Sequence, residues 1–344
     1  MLNVDKLKSR SWEGSVMNLT DCASIAASVF DPSGKSVPVT AGVKLDVTGL
    51  HRLGLKWEDS IPENLRGLWA DNLEMLKELG SIKYNRVIVP PNAKNLDIIT
   101  IDAGDASPSL ICTAIYARFE CKDGTFSCQL VFARSKVVPE GTSVPRAELM
   151  AAAINAATGF TVRKAFGSYH KRYIKLSDSM VALHWINCTT RRLKTFIRTL
   201  VIEVNRLCDI SCWRYVVSSK MPADIGTRKG AKITDIDQDS DWINGMPWMR
   251  GSEEEFPIQT IEETKLTQED MAEAEKEQII FKVFHSQNRR VPEFEASSCE
   301  KIRLRYEFSR YLIDPNGHSF RKSNRILALV LTFVKNARRN INRV

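Results

Sequence analysis

The order of strand-like and helix-like segments between residues 96 and 224 limits the possible folds most strongly. Segments containing β-branched residues predict strands, and Asp123-Gly124 predicts a hairpin turn between the second and third of them. A hairpin of strands followed by alternating helices and strands predicts an α/β fold with a mixed five-stranded sheet and flanking helices. In chain order we predict strands at 96–100, 110–119 and 126–133, a helix at 145–157, a strand at 173–176, helices at 180–186 and 193–207, a strand at 212–217, and a helix or turn from Pro222.

The regions on either side of this pattern differ in composition. Residues 1–95 predict a helical lead-in, with an amphipathic helix over 62–80. Residues 251–280 are acidic and poor in aromatic side chains, which predicts a linker. Residues 281–344 are basic and predict a small helical region, with an apolar helix near 326–334. We therefore expect four regions, 1–95, 96–250, 251–280 and 281–344.

Composition excludes several classes of protein. With 43% hydrophobic and 26% charged residues, the chain is not disordered throughout. No apolar run approaches the roughly 20 residues of a transmembrane helix, and residues 1–16 lack the apolar core of a signal peptide. The eight cysteines form no CxxC pair, so we expect reduced, mostly buried thiols, no zinc site, and an intracellular, cytoplasmic protein.

Charge is distributed unevenly along a chain whose net charge is +8. Residues 251–277 contain ten acidic and two basic residues, so the remainder is strongly basic. A basic surface favours a polyanionic partner such as nucleic acid, and a solvated basic surface without a partner is the alternative.

Four acidic residues lie at boundaries of the predicted elements: Asp105, Glu148, Asp178 and Asp224. A mixed sheet brings the ends of several strands to one edge, so these side chains could converge. Each also has an ordinary interpretation, as a helix N-terminal charge for Glu148 or as an N-cap for Asp178 and Asp224. The order of strand end, helix, strand end and helix start favours convergence.

Converging carboxylates repel one another unless cations neutralise them. Magnesium prefers oxygen ligands, and two such ions about 4 Å apart can activate water and stabilise the leaving oxygen of a phosphodiester. Four carboxylates therefore predict two Mg²⁺ or Mn²⁺ ions and phosphodiester hydrolysis.

Short motifs are spread over about two thirds of the chain. They are Phe30-Asp31-Pro32-Ser33-Gly34, Leu55-Lys56-Trp57-Glu58-Asp59, Asp105-Ala106-Ser107, Val144-Pro145-Arg146-Ala147-Glu148-Leu149, Ser177-Asp178-Ser179 with Leu183-His184-Trp185-Ile186, Trp213-Arg214-Tyr215-Val216, Pro222-Ala223-Asp224, and residues 242–249. In this order they resemble the Pao/BEL family of LTR retrotransposon polyproteins. The resemblance covers the end of reverse transcriptase and the ribonuclease H-like domain, and residues 323–339 resemble the helix that precedes integrase.

The resemblance implies a ribonuclease H-like fold over 96–250 that hydrolyses the RNA strand of RNA–DNA hybrids. It implies Asp105, Glu148, Asp178 and Asp224 as catalytic metal ligands, with Asp102 as second choice for the first position. Ser107 and Arg146 are implied substrate contacts, although Arg146 could equally form a structural ion pair.

The resemblance also implies possible partners in other polyprotein segments, namely reverse transcriptase and integrase. The chain departs from the family pattern at Cys112, where the family has Gly, and at Met221, where it has Asn. We therefore retain a second hypothesis, a fragment or domesticated remnant that binds nucleic acid or polyprotein segments without catalysis. The family region is also labelled an aspartic peptidase, but the chain lacks the Asp-Thr/Ser-Gly triplet of that chemistry.

Overall fold

The computed structural model describes residues 4–8, 17–85, 87–188 and 193–278. The six strands are β1 (Ile98–Ala106), β2 (Leu110–Glu120), β3 (Phe126–Val137), β4 (His170–Ser177), β5 (Trp213–Val216) and β6 (Ile258–Thr260). The helices are α1 (Asp5–Lys8), α2 (Leu19–Ala26), α3 (Val37–Arg52), α4 (Arg66–Glu78), α5 (Val144–Phe166), α6 (Met180–Asn187), α7 (Thr195–Leu207), α8 (Asp241–Asn244) and α9 (Gln268–Lys276).

One mixed sheet has the strand order β3-β2-β1-β4-β5-β6. Strands β1, β4 and β5 run parallel to one another, and β2, β3 and β6 join through antiparallel pairs. The predicted α/β class with a mixed sheet and flanking helices is confirmed. The predicted number of five strands is wrong, because β6 adds a sixth at the edge beside β5.

Both faces of the central strands are covered, which explains why β1 and β2 are buried along almost their whole length. Helix α5 packs on one face, and its alanines allow close approach to β1 and β2. Proline near its first residue suits a helix start, and Gly167, with a φ of 58°, ends it. The other face carries α3, α8 and the short 3₁₀ turn Pro222–Gly226.

The lead-in packs against the sheet instead of forming a separate region. Asp31 accepts hydrogen bonds from the backbone N–H groups of Gly34 and Ser36, which shapes a tight turn. Gly34 lies so close to β3 that a Cβ there would fall 1.9 Å from the carbonyl oxygen of Ala133. The Ala133 N–H also donates to the Ser33 carbonyl, at 2.9 Å. Residues from 1 to 277 accordingly form one compact unit, which the boundary predicted at residue 95 did not anticipate.

The acidic segment predicted as a linker over 251–280 contains β6 and α9. Helix α9 packs on α6, where the Trp185 indole donates to the Ala274 carbonyl at 3.2 Å. Arg118, buried in β2, donates to the carbonyls of Met249 and Gly251 and pairs with Glu253. The segment is therefore folded, and two of its acidic residues, Glu253 and Glu277, pair with basic residues elsewhere in the chain. The region predicted at 281–344 lies outside the described residues.

Candidate active site

Two acidic residues lie at the carboxyl ends of adjacent parallel strands. Register pairs Asp102 with Lys175 and Ala103 with Leu176, so Asp105 near the end of β1 lies beside Asp178, the residue that follows β4. The hairpin and the crossover that join these strands thus bring together residues 73 positions apart, as the sequence pattern suggested.

Two further acidic residues approach this edge from other elements. Glu148 lies near the N-terminus of α5, and Asp224 lies in the 3₁₀ turn Pro222–Gly226, which packs on β1 and β2. The charges of Asp178 and Asp224 act on Asp105, and those of Asp178 and Asp105 act on Glu148. We call these four residues, Asp105, Glu148, Asp178 and Asp224, the carboxylate cluster.

Burial and mutual repulsion raise the proton affinity of the cluster. Asp105 is 7% exposed, and burial, with the negative charges of Asp178 and Asp224, raises its pKa to about 7. Burial, with the charges of Asp178 and Asp105, raises the pKa of Glu148 to about 7. Burial first, and then the charge of Asp224, raises the pKa of Asp178. The charged groups that act on Asp105 and Glu148 are therefore carboxylates.

Hydroxyl groups and one arginine hold these carboxylates in place. The Thr227 hydroxyl donates to Asp105 Oδ2, and the Ser218 hydroxyl donates to Asp178 Oδ2 at 2.7 Å. Arg228 Nε donates to Asp224 Oδ2 at 2.8 Å in a largely exposed ion pair. Sequence reasoning missed these partners, and only the spacing of four residues between Asp224 and Arg228 offered a signal.

The donor atoms of the cluster suit a hard divalent cation, since all are carboxylate oxygens. Raised pKa values in a buried group of like charges are the expected consequence when no cation neutralises the group. In the part of the chain that the structure describes, no three Asp, Glu, His or Cys side chains lie close enough to hold one metal ion. The donor chemistry of the cluster fits Mg²⁺ or Mn²⁺.

Asp102, the second choice for the first ligand, is excluded from the cluster. Its side chain is fully buried, and its Oδ2 atom accepts hydrogen bonds from Lys175 Nζ at 3.0 Å and Arg163 Nη1 at 3.2 Å. Because successive side chains of a strand alternate between faces, Asp102 faces α5 while Asp105 faces the 3₁₀ turn. Asp102 is therefore a structural ion-pair residue.

The two predicted substrate contacts already have protein partners. The Ser107 hydroxyl accepts a hydrogen bond from the Leu110 N–H at 3.0 Å in the turn between β1 and β2. Arg146 pairs with Glu277, with its Nε atom 2.8 Å from Oε1. The structural ion pair considered for Arg146 is therefore present.

Other predictions concern cysteines and membranes. Among the described cysteines, five are buried and Cys188 and Cys212 are partly buried, all as free thiols, which confirms the predicted state for those seven. None of the described helices combines the length and the apolar character needed to cross a membrane.

Comparison with known proteins agrees with the motifs. Residues 20–179 match the family model described as "Pao retrotransposon-like RNaseH-like domain". No curated protein and no solved structure shows significant similarity to the chain. The matched segment contains Asp105, Glu148 and Asp178 and ends before Asp224. The family match over residues 20–179 and the mixed α/β sheet together confirm the predicted ribonuclease H-like fold and the predicted similarity to Pao retrotransposon sequences.

Proposed function

We propose that this chain is a metal-dependent ribonuclease H-type endonuclease that hydrolyses the RNA strand of RNA–DNA hybrids. The observation that carries the proposal is the carboxylate cluster, in which four acidic side chains from β1, α5, the end of β4 and the 3₁₀ turn act on one another at one edge of the sheet. A buried group of like charges destabilises the protein, and such groups are found mainly where function requires them.

Asp105, Glu148, Asp178 and Asp224 would hold two Mg²⁺ or Mn²⁺ ions. When bound, these ions supply Lewis-acid activation of water and stabilise charge on the leaving oxygen. In the hydrolysis, a water oxygen bonds to phosphorus and the bond from phosphorus to the 3′ oxygen breaks. The products are a 5′-phosphate and a 3′-hydroxyl, since one proton of the water ends on the leaving 3′ oxygen and the other passes to solvent.

The protein's own groups orient the cluster for this reaction. Thr227 donates a hydrogen bond to one oxygen of Asp105, and Ser218 donates one to an oxygen of Asp178. The raised pKa values of Asp105 and Glu148 imply that cation binding displaces protons at neutral pH. Basic residues outside the acidic segment would contact phosphates, so binding should weaken as salt concentration rises.

Cleavage of an end-labelled RNA–DNA hybrid in Mg²⁺ or Mn²⁺ tests the proposal. We expect cleavage by the wild-type chain, and its loss in Asp178→Asn and in EDTA. Asp71→Asn on α4 is the matched control, because it removes one exposed carboxylate outside the cluster and should leave the rate unchanged. Cleavage that survives in Asp178→Asn would contradict the proposed site.

A second candidate function is a nucleic-acid or polyprotein binding module without catalysis. It is favoured by the ion pair that holds Asp224 to Arg228, and by the absence of three metal-binding side chains in close contact among the described residues. This candidate predicts hybrid binding that is sensitive to salt, unaffected by EDTA, and accompanied by no cleavage.

The aspartic peptidase alternative has no support from the residues. Such an enzyme pairs two Asp residues from Asp-Thr/Ser-Gly turns so that they share a proton. The sequence has no such triplet, and Ser177-Asp178-Ser179 is followed by Met180, the first residue of α6.

A further inference from the structure

Two basic residues that share one acidic partner lie at the starts of neighbouring helices. Arg146 is in the first turn of α5, and Lys194 directly precedes α7, which packs against α5. Helix N-termini carry partial positive charge and favour anions. The side chains of Arg146 and Lys194 are 34% and 49% exposed, so a ligand from solvent could reach both.

A carboxylate of the protein itself occupies this position. Glu277 Oε1 lies 2.8 Å from Arg146 Nε and 2.7 Å from Arg146 Nη2, and Oε2 lies 3.8 Å from Lys194 Nζ. The Lys194 N–H also donates to the Glu277 carbonyl at 2.8 Å. The site therefore binds an anionic group in the structure.

The fit of Glu277 is incomplete. Glu277 is only 8% exposed, yet its Oε2 atom accepts no hydrogen bond. Both close contacts with Arg146 fall on the same oxygen, whereas arginine binds carboxylate or phosphate best through two oxygens. A buried oxygen without a hydrogen-bond donor reduces the stability of the contact. A phosphate group, with more oxygens, could satisfy Arg146 and Lys194 together.

The helix that ends next to Glu277 is weakly attached. Ala274 is the only buried residue within α9, and the helix carries acidic side chains at positions 269, 270, 273 and 275. Elements that bury little apolar surface open at low free-energy cost. The same acidic side chains would repel a nucleic acid near this surface.

We propose that Arg146 and Lys194 form a binding site for a backbone phosphate of nucleic acid, which Glu277 occupies in the free protein as an internal competitor. Nucleic acid must then displace the Glu277 side chain to reach Arg146 and Lys194. This inference rests on the proposed function, because it assumes the same nucleic-acid partner. It adds a contact that regulates binding of that partner.

The test is the affinity of the full chain for a fluorescein-labelled RNA–DNA hybrid, measured by fluorescence anisotropy in EDTA so that no cleavage occurs. Glu277→Gln should tighten binding about two- to fivefold, because it removes the competing charge. Glu275→Gln is the matched control, since it removes one exposed charge nearby on α9 and should have a much smaller effect. Equal effects of the two substitutions would overturn the proposal.

A second substitution tests whether the tighter binding of Glu277→Gln depends on Arg146. Arg146→Gln in the Glu277→Gln background should abolish the tighter binding, with urea unfolding used to verify that each variant is folded. A gain that persists without Arg146 would contradict the proposed phosphate site.

Inorganic phosphate separates this inference from the proposed function. Phosphate should raise the thermal midpoint of Glu277→Gln but not of Glu277→Gln with Arg146→Gln. If that holds and hybrid affinity responds as expected while no variant cleaves, the inference stands and the nuclease proposal fails. If the wild type cleaves hybrids and Glu277→Gln changes neither affinity nor the response to phosphate, the inference alone fails.

Discussion

Two carboxylates three residues apart on β1 have opposite surroundings. Asp102 faces α5, where Lys175 and Arg163 neutralise it inside the protein. Asp105 faces the other side, where its charged neighbours are the carboxylates of Asp178 and Asp224. The protein therefore compensates one buried charge with its own cations and leaves the other without one. This difference indicates that Asp102 serves stability, and it supports the proposal that Asp105 binds an external cation.

The largest effect should come from removing the internal cation of Asp102. Lys175→Met leaves Asp102 with only Arg163, and loss of one partner from a buried ion pair costs about 3–5 kcal/mol. Urea unfolding measures the change. Lys171→Met, on the same strand, breaks an exposed pair with Asp97 and should cost less than about 1 kcal/mol. Similar losses of unfolding free energy in both variants would contradict the claim that Lys175 neutralises a buried Asp102.

The pH dependence of stability should show that Asp105 and its neighbour Glu148 have no internal cation to neutralise them. The pKa values of Asp105 and Glu148 are raised to about 7 in the folded state, so the folded protein binds more protons than the unfolded chain between about pH 4 and pH 7. Without divalent cations, the stabilising contribution of these two groups should therefore be complete below about pH 4. Since one pKa unit corresponds to about 1.4 kcal/mol, each of the two groups alone should lower the stability by up to about 3–4 kcal/mol as pH rises to about 7. Urea unfolding at a series of pH values measures this slope, and a rise in stability from this source would contradict the pKa directions.

A somewhat smaller gain is expected from neutralising Asp105 directly. Asp105→Asn removes one charge from the repelling cluster and should stabilise the cation-free protein by about 1–2 kcal/mol at neutral pH. Asp97→Asn on the exposed side should stabilise it by less or not at all, because it loses the contact with Lys171. Thermal unfolding of the two variants in EDTA provides the comparison.

Asp224 is intermediate between the neutralised Asp102 and the unneutralised Asp105, because Arg228 pairs with it at the surface. Arg228→Ala should therefore change stability by less than about 1 kcal/mol. It should also tighten Mg²⁺ binding, since it frees Asp224 as an oxygen donor. Calorimetric titration with Mg²⁺ measures the second effect, and weaker binding in the variant would show that Arg228 supports the cluster.

Several of these features could be predicted from the sequence, because they depend on local patterns. The mixed α/β sheet followed from the order of apolar segments, and Asp105, Glu148 and Asp178 lie near element ends where short motifs placed them. The choice between Asp102 and Asp105 needed the strand length, since β1 runs six residues beyond the predicted end at residue 100. Because β1 continues through both positions, Asp102 and Asp105 lie on opposite faces of the sheet.

Other features depend on contacts between distant parts of the chain. Arg146 meets Glu277, 131 residues away, and nothing near either residue indicates the pair. Strand β6 and helix α9 bury few apolar residues, so their acidic composition resembled that of a linker. Pairing with β5 and packing on α6 determine their structure, and neither can be deduced from local composition.

Thermal unfolding of the wild type and Asp105→Asn at neutral pH, in EDTA and in Mg²⁺, tests most directly whether the carboxylate cluster awaits an external cation. A ligand that binds only the folded state raises its stability in proportion to the logarithm of ligand concentration. We predict that Mg²⁺ raises the midpoint of the wild type and has much less effect on Asp105→Asn. Equal shifts in the two proteins, or none in the wild type, would contradict the assignment of the cluster as a divalent-cation site.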